Sequence, residues 1–276
     1  MSETAGHQLD PVEHERIFKR KILPVADLVV YQQQATPTAI VLVRPPGASA
    51  HGLAYLARRE LRFDVLSISD EELVEYHPQI AMLRQNHPYL WPEKVRTDAV
   101  LWGNRLIMEG VQQRVNLLVD MPTETDNMVA LVEHLFNRRY RVEVRGLVTH
   151  RLQSELAMHQ RFARSLEVSG CGRHVLPAVS DATDEQLPAT LDNIYEDPRV
   201  TIRLFDWQGK ALYDSRDQGR LPSKALALLR EQAMKNPAAT KATRDGWRAH
   251  GQWEKDLPTL LDRLSGGQSE HTSTPV

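Results

Sequence analysis

The feature that most restricts the fold of this chain is the alternation of short apolar runs with segments of helical periodicity. The first run, 37–43 (PTAIVLV), is continuously apolar and β-branched, as expected for a buried strand. Three further strands are predicted at 63–68, 116–119 and 140–148, with helical spacing of apolar residues between them. This alternation predicts an α/β fold with a mostly parallel sheet flanked by helices.

Further helices and a hairpin are predicted on either side of this region. Asp10 is expected to cap a first helix, with Glu13 completing a capping box, and this helix should end near Pro24. After the alternating region, a terminal hairpin is predicted at 200–213, and Ser223 is expected to cap a last helix.

Length and composition favour one large soluble domain. The 276 residues suffice for a substantial core, and we predict a folded domain at 1–235 followed by a polar, partly disordered tail at 236–276. The net charge of −2 argues against nucleic acid or an anionic membrane as a partner. The single cysteine, Cys171, excludes an internal disulfide. Without a signal-like or membrane-spanning segment, a cytoplasmic location is expected.

The turn after the first strand is where a parallel α/β sheet is expected to bind its ligand. A phosphate-binding loop needs glycines for close backbone approach, a lysine for the phosphate charge and a Ser or Thr for magnesium. The turn at 44–51 (RPPGASAH) has the position, the length and one glycine, but it has no lysine. On its own, this turn favours a plain tight connection.

The wider sequence, residues 37–215, resembles the zeta toxin family of bacterial P-loop kinases, which phosphorylate UDP-N-acetylglucosamine with ATP. The family loop G-Q-P-G-x-G-K-[ST] falls on 44–51 without a gap, with its lysine on Ala50 and its hydroxyl residue on His51. Other segments similar to the family follow in the same order, at 65–78, 106–122, 161–162, 180–181, 187–191 and 202–213.

The resemblance implies a P-loop-kinase-like domain that transfers the terminal phosphate of ATP, with magnesium, to a nucleotide sugar. It implies that Glu71 is the catalytic base and that Arg161 and Arg173 stabilise phosphate charge. Substrate binding would fall on Asp120 and Asn104. An antitoxin-like protein is a further implied partner. The residues that would hold the ATP phosphates are Pro46, Gly47, Ala48, Ser49, Ala50 and His51.

Three departures from the family pattern bear on the chemistry. Ala50 carries no charge, His51 offers no hydroxyl to magnesium, and Glu71 is one methylene longer than the family aspartate. Loss of one positioned electrostatic donor typically costs about 10²–10³ in rate. Two functions therefore stay open: a kinase with a degraded site, or a non-catalytic member that binds a nucleotide, a nucleotide sugar or a protein.

No lysine lies between positions 21 and 94, so arginine is the cation nearest to the loop. Arg44 and Arg58 are the candidates for replacing the lysine charge, although arginine differs from lysine in reach and geometry. The candidate residues also have plain structural interpretations, as solvated arginines near a helix end or as acidic partners of a helix dipole. The histidines lack metal-ligand spacing, so no protein-held metal site is expected.

Overall fold

The computed structural model describes residues 8–45, 48, 50–121, 125–217 and 219–266. Within them, six strands form one sheet. The strands are β1 (Thr38–Val43), β2 (Leu66–Ser69), β3 (Leu117–Asp120), β4 (Arg141–Leu147), β5 (Thr201–Phe205) and β6 (Ala211–Asp214).

Helices precede, separate and follow these strands. They are α1 (Pro11–Ile17), α2 (Leu23–Ala26), α3 (His51–Glu60), α4 (Asp70–Leu73), α5 (Ile80–Asn86), α6 (Trp91–Gln113), α7 (Thr125–Asn137), α8 (Arg151–Ser169), α9 (Pro177–Tyr195), α10 (Pro222–Lys235) and α11 (Pro237–Gly266). A π-helical turn at Phe18–Ile22 joins α1 to α2. No helix in the described residues has the length and apolarity needed to cross a membrane.

The sheet confirms the predicted α/β class. The strand order is β2-β3-β1-β4-β5-β6, and every pairing is parallel except that of β5 with β6. The chain leaves β1 towards β2 on one side, whereas it leaves β3 towards β4 on the other side. The crevice between the carboxyl ends of β1 and β3 is therefore the topological switch point, where open α/β sheets bind ligands.

Strand β1 explains why its sequence is apolar throughout. All six of its residues are buried. Successive side chains of a strand point to opposite faces. Ala39, Val41 and Val43 accordingly belong to the large core, which includes residues of α6, α7, α9 and α10, while Ile40 and Leu42 belong to the smaller core under α3.

Two predicted helix caps differ in detail from the structure. Asp10 Oδ1 accepts hydrogen bonds from the backbone N–H groups of Val12 and Glu13, as expected of an N-cap. The Glu13 carboxylate, however, binds the guanidinium of Arg16 at 2.6 and 2.7 Å, so it is not seen to complete a capping box. The N-cap of α10 is Leu221 rather than Ser223.

The structure adds helix α9, which the sequence reading missed. Pro188 lies inside this helix and breaks the usual pattern of a helical segment. The helix nevertheless packs against α7 and α10. Asp192 of α9 also accepts hydrogen bonds from both the backbone N–H and the hydroxyl of Ser223, at 2.9 and 2.6 Å. Tertiary contacts thus outweigh the unfavourable proline.

Residues 237–266, within the tail predicted at 236–276 to be polar and partly disordered, form helix α11. This helix packs on α8 through an aromatic cluster, in which the rings of His159 and His250 are 4.8 Å apart. Trp253 Nε1 donates to Glu167 Oε1 at 2.8 Å and fixes the same contact. Because α11 has few apolar residues, its sequence did not indicate that it packs on another helix. The rest of the predicted tail, from residue 267 onward, lies outside the described residues.

Candidate functional site

Two charged residues face each other across the switch point. Arg44 follows the last residue of β1, and Asp120 is the last residue of β3. Arg44 donates from Nε to Asp120 Oδ1 at 3.2 Å and from Nη2 to Oδ2 at 3.4 Å, a two-pronged contact. Its Nη1 donates to the carbonyl of Ala48 at 3.2 Å. Arg44 thus links the end of β1, the following loop and β3.

Glu71 lies beside this pair and is surrounded by arginines. Its Oε1 accepts a hydrogen bond from Arg161 Nη1 at 3.3 Å. The same oxygen is 3.7 Å from Arg44 Nη2 and 3.8 Å from Arg173 Nη1. Three guanidinium groups, brought from β1, α8 and the loop before α9, therefore converge on one carboxylate oxygen.

Asp70 completes the cluster. Its Oδ2 accepts a hydrogen bond from Arg173 Nη2, and the Asp70 side chain is only 4% exposed. Asp70 and Glu71 are the first two residues of α4, which begins directly after β2. The strand end therefore aims one carboxylate at Arg173 and the next at all three arginines.

The electrostatic environment keeps Glu71 ionised. Burial raises the pKa of this carboxyl group, but Arg161, Arg173 and Arg44 lower it by more, so the pKa lies below its ordinary value. For Arg161, burial outweighs the attraction of Glu71, and its pKa is lowered. Glu71 is thus a carboxylate that resists protonation, and it lies next to Arg161, whose charge is only partly stabilised by its neighbours.

Two cavities open on this cluster, with volumes of about 170 and 180 Å³. Both are bordered by Arg44, Glu71, Asp120 and Arg161, which form the boundary between them. The first cavity, here named the α9-side cavity, has an apolar wall that includes Met121, Met128, Val175, Val179 and Leu187. The second, named the α3-side cavity, is lined by residues of α3 and β2, among them Ala50, His51, Arg58 and Ser67.

The loop between β1 and α3 carries most of the predicted phosphate contacts. Pro46, Gly47 and Ser49 lie outside the described residues. Ala48 and Ala50 are buried, and His51 is exposed as the first residue of α3. No side chain in the described residues caps α3, so its first N–H groups, with their positive helix dipole, adjoin the α3-side cavity.

A comparison with protein-family models decides which family this fold represents. The model described as Zeta toxin matches residues 25–218, more than half of the chain. The chain belongs to the zeta toxin family. The resemblance drawn from the sequence motifs is thereby confirmed at the level of the family.

Solved structures agree with this assignment at the level of the fold. The chain is similar to a structure from work on the PezAT chromosomal toxin-antitoxin system of Streptococcus pneumoniae, with 17% identity, a TM-score of 0.74, and coverage of 92% of this chain and 99% of that one. It is also similar to a chain of the AvrRxo1-ORF1:-ORF2 complex, with 10% identity, a TM-score of 0.54, and coverage of 94% and 91%. No curated protein sequence matches the chain.

The zeta toxin fold brings most of the sequence-predicted residues together. Glu71, Arg161, Arg173 and Asp120 meet at the switch point, with Ala50 and His51 beside them in the α3-side cavity. Asn104, in contrast, lies on an exposed face in the middle of α6, and it lines neither cavity. Its predicted contact with substrate has no support from this placement.

Sequence reasoning missed two parts of the site. Asp70 was not among the predicted site residues, although its position directly after β2 was a usable signal. The apolar wall of the α9-side cavity comes partly from helix α9, so it could not be found without predicting that helix.

Proposed function

We propose that this protein is a phosphotransferase that moves the terminal phosphate of ATP to a hydroxyl of a nucleotide sugar, UDP-N-acetylglucosamine. The observation that carries the proposal is the convergence of Arg44, Arg161 and Arg173 on Glu71 at the switch point. A cluster of guanidinium groups around one ionised carboxylate, open to two cavities, supplies both a base and the charge that phosphoryl transfer needs.

Each residue has a definite role in this reaction. The Glu71 carboxylate accepts the proton of the acceptor hydroxyl as the hydroxyl oxygen bonds to the terminal phosphorus and ADP leaves. Arg161 and Arg173 donate hydrogen bonds to the phosphate oxygens, whose negative charge they offset. Asp120, on the boundary of both cavities, positions the acceptor.

The arginines of the site have hydrogen-bond donors that the protein leaves unsatisfied and that a phosphate group could satisfy. Arg161 Nε and Arg173 Nη1 are buried nitrogens without a hydrogen-bond partner among the described residues. Phosphate oxygens would satisfy these donors. Magnesium would be held by the phosphates and by water, because the Asp120 carboxylate already pairs with Arg44 and His51 offers no hydroxyl. When bound, magnesium would neutralise phosphate charge.

Ligand binding would also tune the base. In the unliganded arrangement the three arginines lower the pKa of Glu71, and a weaker base accepts a proton less readily. When Arg161 and Arg173 turn to the phosphates, Glu71 loses part of this stabilisation and its pKa rises. The base would therefore become effective only when the donor is in place.

A second function, nucleotide binding without transfer, is favoured by the loop. Ala50 stands where a phosphate-binding loop carries its lysine, and its methyl group brings no charge to the α3-side cavity. In this alternative, the arginine cluster holds a nucleotide or nucleotide sugar, but the terminal phosphate lacks the charge needed for rapid transfer.

An antitoxin-like protein is the macromolecular partner that we propose. The structure of similar fold from Streptococcus pneumoniae was reported as part of a toxin-antitoxin system. Co-expression with the product of a neighbouring gene should restore growth if expression of this protein alone inhibits it. Unchanged inhibition by that product would reject it as the antitoxin.

The deciding experiment is a transfer assay with ATP, magnesium and UDP-N-acetylglucosamine, in which mass spectrometry detects a phosphorylated nucleotide sugar. The wild-type protein should form this product, and Glu71→Gln should form it at least about 10²-fold more slowly. Binding of ATP by calorimetry with no product from the wild type would select the non-catalytic alternative. Neither binding nor product would reject both functions.

A further inference from the structure

Arg44 occupies a position that the proposed phosphate chemistry leaves unexplained. It is one of four residues that border both cavities, and the only cation among them besides Arg161. Its side chain is 16% exposed, so the guanidinium is largely removed from solvent. Burial of a charge in this way is costly unless the charge is compensated.

The compensation of Arg44 comes from groups that also belong to the site. Asp120 supplies two hydrogen bonds, and Glu71 lies 3.7 Å away. Burial lowers the pKa of Arg44, but Asp120 and then Glu71 raise it by more, and the residue stays charged. The Asp120 carboxylate thus occupies the position from which an anionic ligand could neutralise Arg44.

Arg58, the other arginine near the loop, is placed differently. It lines the α3-side cavity only. Its Nε donates to the hydroxyl of Ser67 at 3.0 Å, which anchors it along β2. Of the two candidates, only Arg44 converges with Arg161 and Arg173 on the same carboxylate oxygen.

We infer that Arg44 is the third arginine of a phosphate-binding site and supplies the charge that the loop lacks at Ala50. The ligand class is a magnesium-bound nucleoside triphosphate, so the inference rests on the proposed function. Asp120 and Glu71 act as internal counter-ions in the unliganded protein, and phosphate oxygens displace them from the guanidinium groups. The two acidic residues therefore compete with the ligand for Arg44.

This competition gives substitutions with opposite signs. Arg44→Ala removes the third guanidinium and should weaken binding of Mg·ATP by at least about 10-fold, because charge-assisted hydrogen bonds to phosphate are lost. Asp120→Asn keeps the shape of the side chain but removes its charge, which should free Arg44 and tighten binding by about 3-fold. Arg203→Ala, whose side chain lines neither cavity, serves as the matched control and should bind as the wild type does.

The test is calorimetric titration of the full-length protein and these three variants with Mg·ATP, after thermal unfolding has shown that each is folded. Weaker binding by Arg44→Ala with tighter binding by Asp120→Asn supports the inference. Equal affinity of the wild type and Arg44→Ala overturns it and leaves the proposed function standing, whereas no binding by the wild type overturns both.

If Arg44→Ala does not fold, Asp120→Asn decides alone. Tighter binding supports Arg44 as a phosphate ligand, and unchanged or weaker binding overturns it.

Discussion

The same sheet carries two arginine–carboxylate networks that differ in how closely the groups approach. Around Glu71, at the ends of β1 to β3, the nitrogen–oxygen distances are 3.3, 3.7 and 3.8 Å. Around Glu143, on β4, Arg145 and Arg203 approach the carboxylate at 2.8 and 3.2 Å. We name these the switch-point network and the β4–β5 network.

The surroundings of the two networks differ as well. The guanidinium groups of Arg145 and Arg203 lie 5.5 and 4.9 Å from the ring centre of Phe205, and neither residue lines the two cavities described above. Arg145 also has one buried nitrogen, Nη1, without a hydrogen-bond partner in the described residues. An unsatisfied nitrogen alone therefore does not mark a ligand site, whereas a cluster of charged groups that borders an open cavity favours one.

The largest expected effect comes from the same substitution in both networks. Glu71→Gln should slow phosphoryl transfer at least about 10²-fold because the base is lost, and Glu143→Gln should leave the rate within about twofold. Initial rates at saturating ATP measure both. A comparable loss in the Glu143→Gln variant would show that the two networks are not functionally distinct.

For the free energy of unfolding, the larger effect is expected from a substitution in the network around Glu143. Arg145→Leu leaves Glu143 and Glu60 without their buried partner and should lower the free energy of unfolding by about 1–3 kcal/mol. Arg161→Leu should change it by less than about 1 kcal/mol, because burial of this guanidinium is poorly compensated in the folded protein. Urea denaturation compares the two, and an equal loss would contradict the distinction.

The smallest expected effect is the acid response of the switch-point network. Glu71 has a folded-state pKa below its ordinary value of 4.5, so its contribution to stability is present above pH 4.5 and is lost as the pH falls through the folded-state value. Glu71→Gln should therefore lose less stability than the wild type between pH 5 and pH 3. Parallel acid denaturation curves for the two proteins would contradict the lowered pKa.

The sequence predicted the fold well where local signals agree with tertiary packing. The apolar run of β1 and the alternation of strands and helices were sufficient for the α/β class. Helix α9 was missed because Pro188 contradicts helical propensity, and α11 because its docking face on α8 is built from histidine and tryptophan rather than an aliphatic stripe.

The candidate site was predicted in part, through residues at strand ends. Glu71 comes shortly after the end of β2, and Asp120 is the last residue of β3, so the parallel pairing of these strands brings both residues to the same edge of the sheet. The approach of Arg161 and Arg173 depends on how α8 and the loop before α9 pack. These two residues were predicted from the family resemblance and not from a local sequence pattern. The two-pronged contact between Arg44 and Asp120 required the structure, because nothing in the sequence fixes the direction of a long side chain.

The most direct test of the account is calorimetric titration with Mg·ATP of the wild type, Arg161→Ala and Arg203→Ala. The account predicts that the wild type and Arg203→Ala bind with the same affinity, since Arg203 belongs to the β4–β5 network, and that Arg161→Ala binds at least about 10-fold more weakly. Equal binding by all three proteins, or no binding by the wild type, would contradict the claim that the switch-point network is a phosphate site.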